Sequence, residues 1–345
     1  MIQTEAKQNK ISYEELKNTA PVGMEPRRGG RKPLNLGKVL LFFLAVMAVF
    51  LVFGSLVQYY LGMAGVVITE LMFLAASLLF VYFRKEDFKK VFPLQMPSIL
   101  ALGGTAVLWL GSFLSVTVVN LILAYFFPAG VYGESGATTA VIQSIPWAVS
   151  FLIVAVLPAV CEEALHRGVI QYGAQNSIRS PWLLVLLMGV LFGCFHLSLW
   201  KFLPTAMLGA MMSYILLKTE NMIYSCFFHF LHNGMQMLML LAVPGLLIQS
   251  VIPASAAGKD LFDVSAARIL PLSIGLYLCL AALVPFLLYL GNWMLQRARA
   301  GKRMAFFPAG KEKKYFWSIL IPTFLLLLAG TLVLLSGVRG IMELY

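Results

Sequence analysis

The chain is expected to be all-α, a polytopic bundle of membrane-spanning helices, and three observations predict it. Of its 345 residues 60% are hydrophobic and only 12% charged, where soluble proteins carry roughly 25% charged residues. Mean hydropathy is +0.85. The apolar residues fall in runs of about 20, the length that crosses a bilayer, and Lys and Arg collect between the runs with a bias to one side.

Nine spans are predicted, at 39–59, 65–83, 98–127, 146–171, 181–200, 202–217, 222–243, 269–293 and 316–338. The third and fourth are long enough to tilt or project beyond the hydrocarbon. The sixth is short, and eight spans remain if it does not cross. Between spans, 128–145 and 244–268 are rich in Gly, Ala and Ser and read as structureless outer loops, and 294–315 as a basic inner loop. The first three and last two spans are chemically plain.

With the N-terminus inside, 21 of the 26 Lys and Arg lie on the inner side, eight of them before residue 39 and seven in 297–314. Such an asymmetry is the positive-inside pattern. The net charge of +11 is therefore assigned to membrane topology, and nucleic acid is not an expected partner. About 37 polar residues precede the first span, so no short charged region runs into an apolar signal segment and no cleaved signal peptide is expected. Residues 1–37 read as a flexible basic cytoplasmic tail able to lie on anionic lipid. Residues 38–338 form the transmembrane domain of a multi-pass protein of the cell membrane.

All polar motifs fall between 146 and 243. Ionisable groups in hydrocarbon are expensive and need a reason to be there. In the fourth span Glu162 and Glu163 follow a long apolar approach, about 24 Å beyond Pro146 at 1.5 Å per residue. Pro158 has no amide hydrogen, so a kink is predicted just before the two acids. Arg167 is four residues from Glu163 and shares its face, so it can neutralise that carboxylate. Glu162 points about 100° away. One acid is thus held as structure and the other left toward a cavity, where it could act as a general base. Two Glu and one Arg are equally compatible with a buried clamp between helices.

The fifth span carries His196 at about the depth of Glu162, some 22 Å from Pro181. Phe192 lies one turn before it and could wall the site. The seventh offers His229 and Asn233 on one face, two donors of the kind an oxyanion hole requires, or polar glue between helices. Glu70 and Asn120 also fall in spans, and structural roles rank ahead for both. Cys161, Cys194, Cys226 and Cys279 lie in apolar spans without CxxC spacing, so neither a disulfide nor a zinc site is indicated. Buried cysteines of this kind are usually small hydrophobes, which ranks a thiol nucleophile low.

Taken in order, Glu162-Glu163-x-x-x-Arg167, Phe192-x-x-x-His196 and His229-x-x-x-Asn233 resemble the signature of the CAAX-prenyl-endopeptidase and bacteriocin-processing family of intramembrane proteases, also called the CPBP or Abi family. The resemblance covers 146–243. It implies a glutamate-dependent endopeptidase in which Glu162 and His196 activate water and His229 and Asn233 hold the oxyanion, with Glu163 and Arg167 organising the site. His166 and His232 occupy unspecified positions of the motifs. The implied substrate is a peptide or protein, reached from the bilayer or its cytoplasmic face, and resemblance to bacterial members implies processing of, or immunity toward, secreted peptides. Membrane lipid is the other expected partner, and oligomeric state is not readable. No cofactor is expected: His196, His229 and Glu162 could supply three ligands to a catalytic zinc, but no HExxH is present. A proton-coupled transporter and a non-catalytic immunity or scaffold protein are the competing classes.

Overall fold

A computed structural model describes residues 33–242, 259–300 and 304–342. Most of the basic tail and much of the second outer loop lie outside these residues. Helix dominates, and no strand occurs among the described residues. Eleven helices suffice to follow the chain: α1 Leu36–Leu61, α2 Met63–Arg84, α3 Ile99–Phe126, α4 Pro128–Ile142, α5 Trp147–Gln175, α6 Pro181–Phe195, α7 Leu199–Thr219, α8 Met222–Ala242, α9 Lys259–Ala281, α10 Val284–Ala300 and α11 Glu312–Met342.

Seven described stretches are long and apolar enough to cross a membrane: α1, α2, α3, α5, α7, the broken pair α9 and α10, and α11. This is fewer than the nine spans expected. Helix α6 accounts for one difference. Its apolar run stops at Phe195 after 15 residues, about 22 Å against roughly 30 Å of hydrocarbon. There His196 caps the helix, Leu197 takes a left-handed backbone (φ 51°) and Ser198 caps α7 through its hydroxyl. The short element is thus the fifth, whereas the sixth, expected to be marginal, is a 21-residue helix. Helix α8 accounts for the other: it is also 21 residues long, but its two histidines, Asn233 and Gln236 dilute its apolar character.

Residues 128–142, expected to be structureless, are helical, with Pro128 at the first turn where a missing N–H costs nothing. Between α9 and α10 the predicted single span breaks at Ala282–Leu283, because Pro285 cannot donate to the carbonyl four residues back.

Helices α1, α2, α5 and α6 enclose one apolar core around Phe43, Phe73, Leu165, Val169, Met188 and Phe195. A second, around Leu108, Phe192, Met212 and Phe228, joins α3, α6, α7, α8 and α10. Phe192 and Phe195 of α6 therefore face different cores, and α6 is wedged between them. That close approach depends on Gly189 and Gly193, where a Cβ would sit 2.7 Å from the carbonyl oxygens of Ala206 and Phe202 on α7; small residues four apart are the usual device for this in membranes.

The inter-span segments expected to be cytoplasmic meet at one end of the bundle. Asn176 and Ser177 bond the backbone at Leu34 and Leu36, Asn221 bonds Gln95 in both directions, and Arg299 pairs with Glu220 at 2.8 Å. These contacts agree with alternating spans, which is the premise of the charge argument.

Candidate active site

Helix α5 positions the acids. It widens twice into π-helix, at Leu152–Val156 and at Ala164–Ile170, with Pro158 and both glutamates in the α-helical turns between. Pro158 has no N–H for the carbonyl of Val154, and that oxygen accepts from Asn233 Nδ2 at 3.0 Å. The irregularity expected at Pro158 is present. It is distributed over π turns, which recur at functional sites.

From Glu162 to Arg167 every side chain is buried. Arg167 NH1 donates to Glu163 Oε1 at 2.7 Å and NH2 to the carbonyl of Gly209 at 2.9 Å. The guanidinium also lies 4.7 Å from the centroid of the Phe192 ring. His229 Nδ1 lies 3.2 Å from the same Glu163 oxygen; a carboxylate can only accept, so the imidazole donates. Its Nε2 then faces Glu162 Oε2 at 3.9 Å, beyond direct hydrogen bonding. Glu163 is thus the acid held by partners, and no hydrogen bond reaches Glu162 Oε2. The division inferred from helix geometry is the one found.

His196 sits at the end of α6 with Nδ1 2.9 Å from the carbonyl of Phe192. Nδ1 must carry the hydrogen, which leaves the Nε2 lone pair available as a proton acceptor. Phe192 is fully buried, with its ring against those of His166, His196 and His229. It separates the imidazoles as a wall would.

A cavity of about 160 Å³ joins these parts. Its polar lining is Gln58, Thr69, Glu70, Glu162 and His196, and its apolar wall is Phe50, Phe73 and Phe195. Room for one water needs roughly 10–15 Å³, so several fit. The structure therefore brings Glu162 and His196 to one cavity, with His229 beside Glu162. Asn233, one turn beyond His229, is turned to Val154 and does not line it. Gln58 and Thr69 lie near the α1–α2 turn at Gly62, the end of the bundle away from the basic segments. A cytoplasmic or lateral opening was expected for an N-in chain, whereas the polar lining runs toward the opposite end.

The sequence ranks Glu70 as structural, yet it lines the same cavity as Glu162. The signal that could have found it was its solitude: one acid in an apolar span with no basic residue within a turn. The thiol of Cys161 is buried beside Glu162 and lies outside the cavity lining.

Helix α4 docks over the turn that carries His196. Glu134 accepts from the hydroxyl of Ser198 and pairs with Lys201 at 3.0 Å, and the ring of Trp200 occupies the space a side chain at Gly130 would need. Burial pushes the Glu134 carboxyl up, but Ser198 and Lys201 outweigh it and hold the group below its ordinary range.

Among the described residues no three His, Cys, Asp or Glu side chains are grouped so that they could hold an ion.

Residues 144–235 match the family model described as type II CAAX prenyl endopeptidase Rce1-like. This stretch is similar to an Rce1-like domain. It spans α5 to α8 up to Met235, so it contains all three motifs, both π turns, and the histidines and acids described above. The Rce1-like family is a protease family, which supports a peptidase at family level, and the domain lies within a multi-pass bundle of apolar helices. Comparison with curated proteins and with solved structures gave no match.

Proposed function

We propose that the protein is a glutamate-dependent intramembrane endopeptidase that hydrolyses a peptide bond in the α1–α2–α5–α6 cavity. The observation that carries the reading is the separation of two adjacent acids: Glu163 is neutralised by Arg167 and His229, while Glu162 faces the cavity with His196. In this reading water adds to the scissile carbonyl as its proton passes to Glu162. The Nε2 lone pair of His196 orients that water. The oxyanion forms beside His229, whose Nδ1–H is held by Glu163 and whose Nε2 donates to it only when the ring takes up a second proton. Asn233 contributes its second amide hydrogen or, through Val154, the shape of α5. The proton on Glu162 then leaves with the amine.

The cavity admits a peptide unit and water. It is too small for a whole ligand of the size pockets usually take, roughly 300–1,000 Å³, so the rest of the substrate lies outside it. A peptide or membrane protein whose scissile bond reaches the cavity between helices fits this shape, and secreted peptides are the proposed source. Nine membrane segments with the N-terminus inside remain part of the proposal, with α6 and α8 as the two crossings beyond the seven.

Purified protein in lipid vesicles, given a library of peptides, is expected to release cleaved product. Glu162→Gln and His196→Ala should each abolish it without loss of membrane insertion. Solute or proton flux without cleavage would favour a transporter instead.

A further inference from the structure

Glu70 is the buried acid that the three motifs do not include. It enters the site from α2, a different part of the chain from the Rce1-like segment. Glu70 is 6% exposed and its neighbour Glu162 7% exposed. The two carboxyl groups line the same small cavity, and each has an Oε2 atom that is buried without a hydrogen-bond partner.

The polar groups facing this pair leave it without a cation. Arg167 is spent on Glu163 and the Gly209 carbonyl. Thr69 gives its hydroxyl hydrogen to Val66 and accepts from Gln58, and His196 gives its Nδ1–H to Phe192. His229 Nε2, at 3.9 Å, approaches Glu162 only. Two carboxylates that line one small cavity, walled by Phe50, Phe73 and Phe195, cannot both carry charge without a cation between them. A proton between them removes one charge and turns the repulsion into a short, strong hydrogen bond.

We propose that Glu70 and Glu162 share one proton as a carboxyl pair, with Glu70 the positioning residue whose O–H fixes the ionised Glu162 toward the cavity. This rests on the endopeptidase reading of the same site. Before reaction the pair holds one proton and one negative charge. A C–O bond forms between water and the scissile carbon while a water proton passes to Glu162, so the pair becomes neutral with two protons. When the C–N bond breaks, the departing nitrogen takes one proton, and the pair returns to a single charge. Water has then been divided between the new acid and the new amine, and at no stage does the apolar cavity hold two carboxylates.

Infrared spectroscopy of the full-length protein in lipid tests the shared proton without requiring turnover. At neutral pH the wild type is expected to show a protonated-carboxyl C=O band that is missing from Glu70→Gln, in which Glu162 is left as a plain carboxylate. The kinetic arm asks whether a donor at position 70 is enough. Glu70→Gln keeps an N–H for Glu162 and should turn over within about threefold of wild type. Glu70→Leu has none and should lose about ten- to a hundredfold in kcat at unchanged KM, the worth of one hydrogen bond to a charged group. A C=O band that survives in Glu70→Gln, or no such band in the wild type, overturns the pair. So does wild-type turnover in Glu70→Leu. A wild type that shows the band and cleaves nothing supports the shared proton and overturns the endopeptidase reading.

Discussion

Helices α5 and α11 are near equals as apolar segments, with crossing stretches of 29 residues each, Trp147–Gln175 and Glu312–Gly340. Half of the apolar window of α5 is buried inside the protein, against 6% for α11. The difference lies in what interrupts the hydrocarbon. Helix α5 carries Glu162, Glu163, His166, Arg167 and Gln171, all buried, while α11 has no acidic, basic or histidine residue between Lys314 and Arg339. Lipid tails are as apolar as leucine, so an all-apolar helix gains nothing by moving inward. Helix α11 attaches to α9 where Gly275, Gly330 and Gly337 let the backbones approach. A helix with ionisable groups must find partners, and α5 is surrounded because only other helices supply them.

The largest difference expected between these helices is in activity. Glu162→Gln should lower peptide cleavage about 10²–10⁴-fold, the usual share of a general base, while Thr331→Ala on α11 should leave it unchanged. Thr331 bonds only the carbonyl of Leu327 and faces outward. Equal loss in both variants would point to damage of the bundle instead of chemistry. Stability comes next. Arg167→Met strands Glu163 in the interior and should cost about 3–5 kcal/mol, and the double variant with Glu163→Gln should recover part of that because the charge goes with its partner. Leu328→Ala on α11, a half-exposed position, should fall within about 0.5 kcal/mol. Thermal unfolding in detergent reads both, and a double variant worse than Arg167→Met would remove the ion pair as the reason for the burial of α5.

The contrast also shows what sequence could carry. Apolar runs, positive charges and the four-residue spacing of Glu163 and Arg167 are local, and the helices, the common end of the inter-span segments and the division of the two acids could be read from them. The end of α6 was missed because Ser198-Leu199-Trp200 is as apolar as a continuing span; the left-handed turn at Leu197 and the cap by Ser198 are decided by the helix it packs on. Helix α4 was missed because its Gly, Ala and Ser content reads as loop, while its anchors, Glu134 to Ser198 and Lys201, are more than 60 residues away. Glu70 was ranked as structural because its only meaningful neighbour is on another helix. What the sequence withheld was in each case a long-range contact.

Packing gives a third, smaller contrast. Gly193→Val would bring its side chain against the Phe202 carbonyl and the ring of the same residue. Separating α6 from α7 in this way should cost about 1–3 kcal/mol and shift the His196 turn, so activity falls together with melting temperature. Gly340→Ala near the end of α11 meets nothing within 4 Å and should alter neither. Retention of full activity in Gly193→Val would mean that the turn does not depend on this approach.

The smallest expected effect concerns α4, which no span encloses, so that its hold on the site depends on a partly exposed ion pair. Lys201 and the Ser198 hydroxyl hold the Glu134 carboxyl below its ordinary range, with His196 the other titratable group close enough to act on it. A carboxyl whose folded value is depressed stabilises fully above its unfolded value, and that contribution is lost as pH falls through the folded one. Docking of α4 should therefore be constant near neutrality and weaken only in acid, from the ordinary carboxylate range near 4.5 downward. The contribution should be about 1 kcal/mol or less, as for other solvent-exposed pairs. Hydrogen exchange in 128–142, followed from pH 7 into that range and corrected for intrinsic rates, should show protection falling in the wild type. Glu134→Gln should start lower and stay flat. An acid-dependent loss that persists in Glu134→Gln would assign the response to another group and separate α4 from the His196 turn.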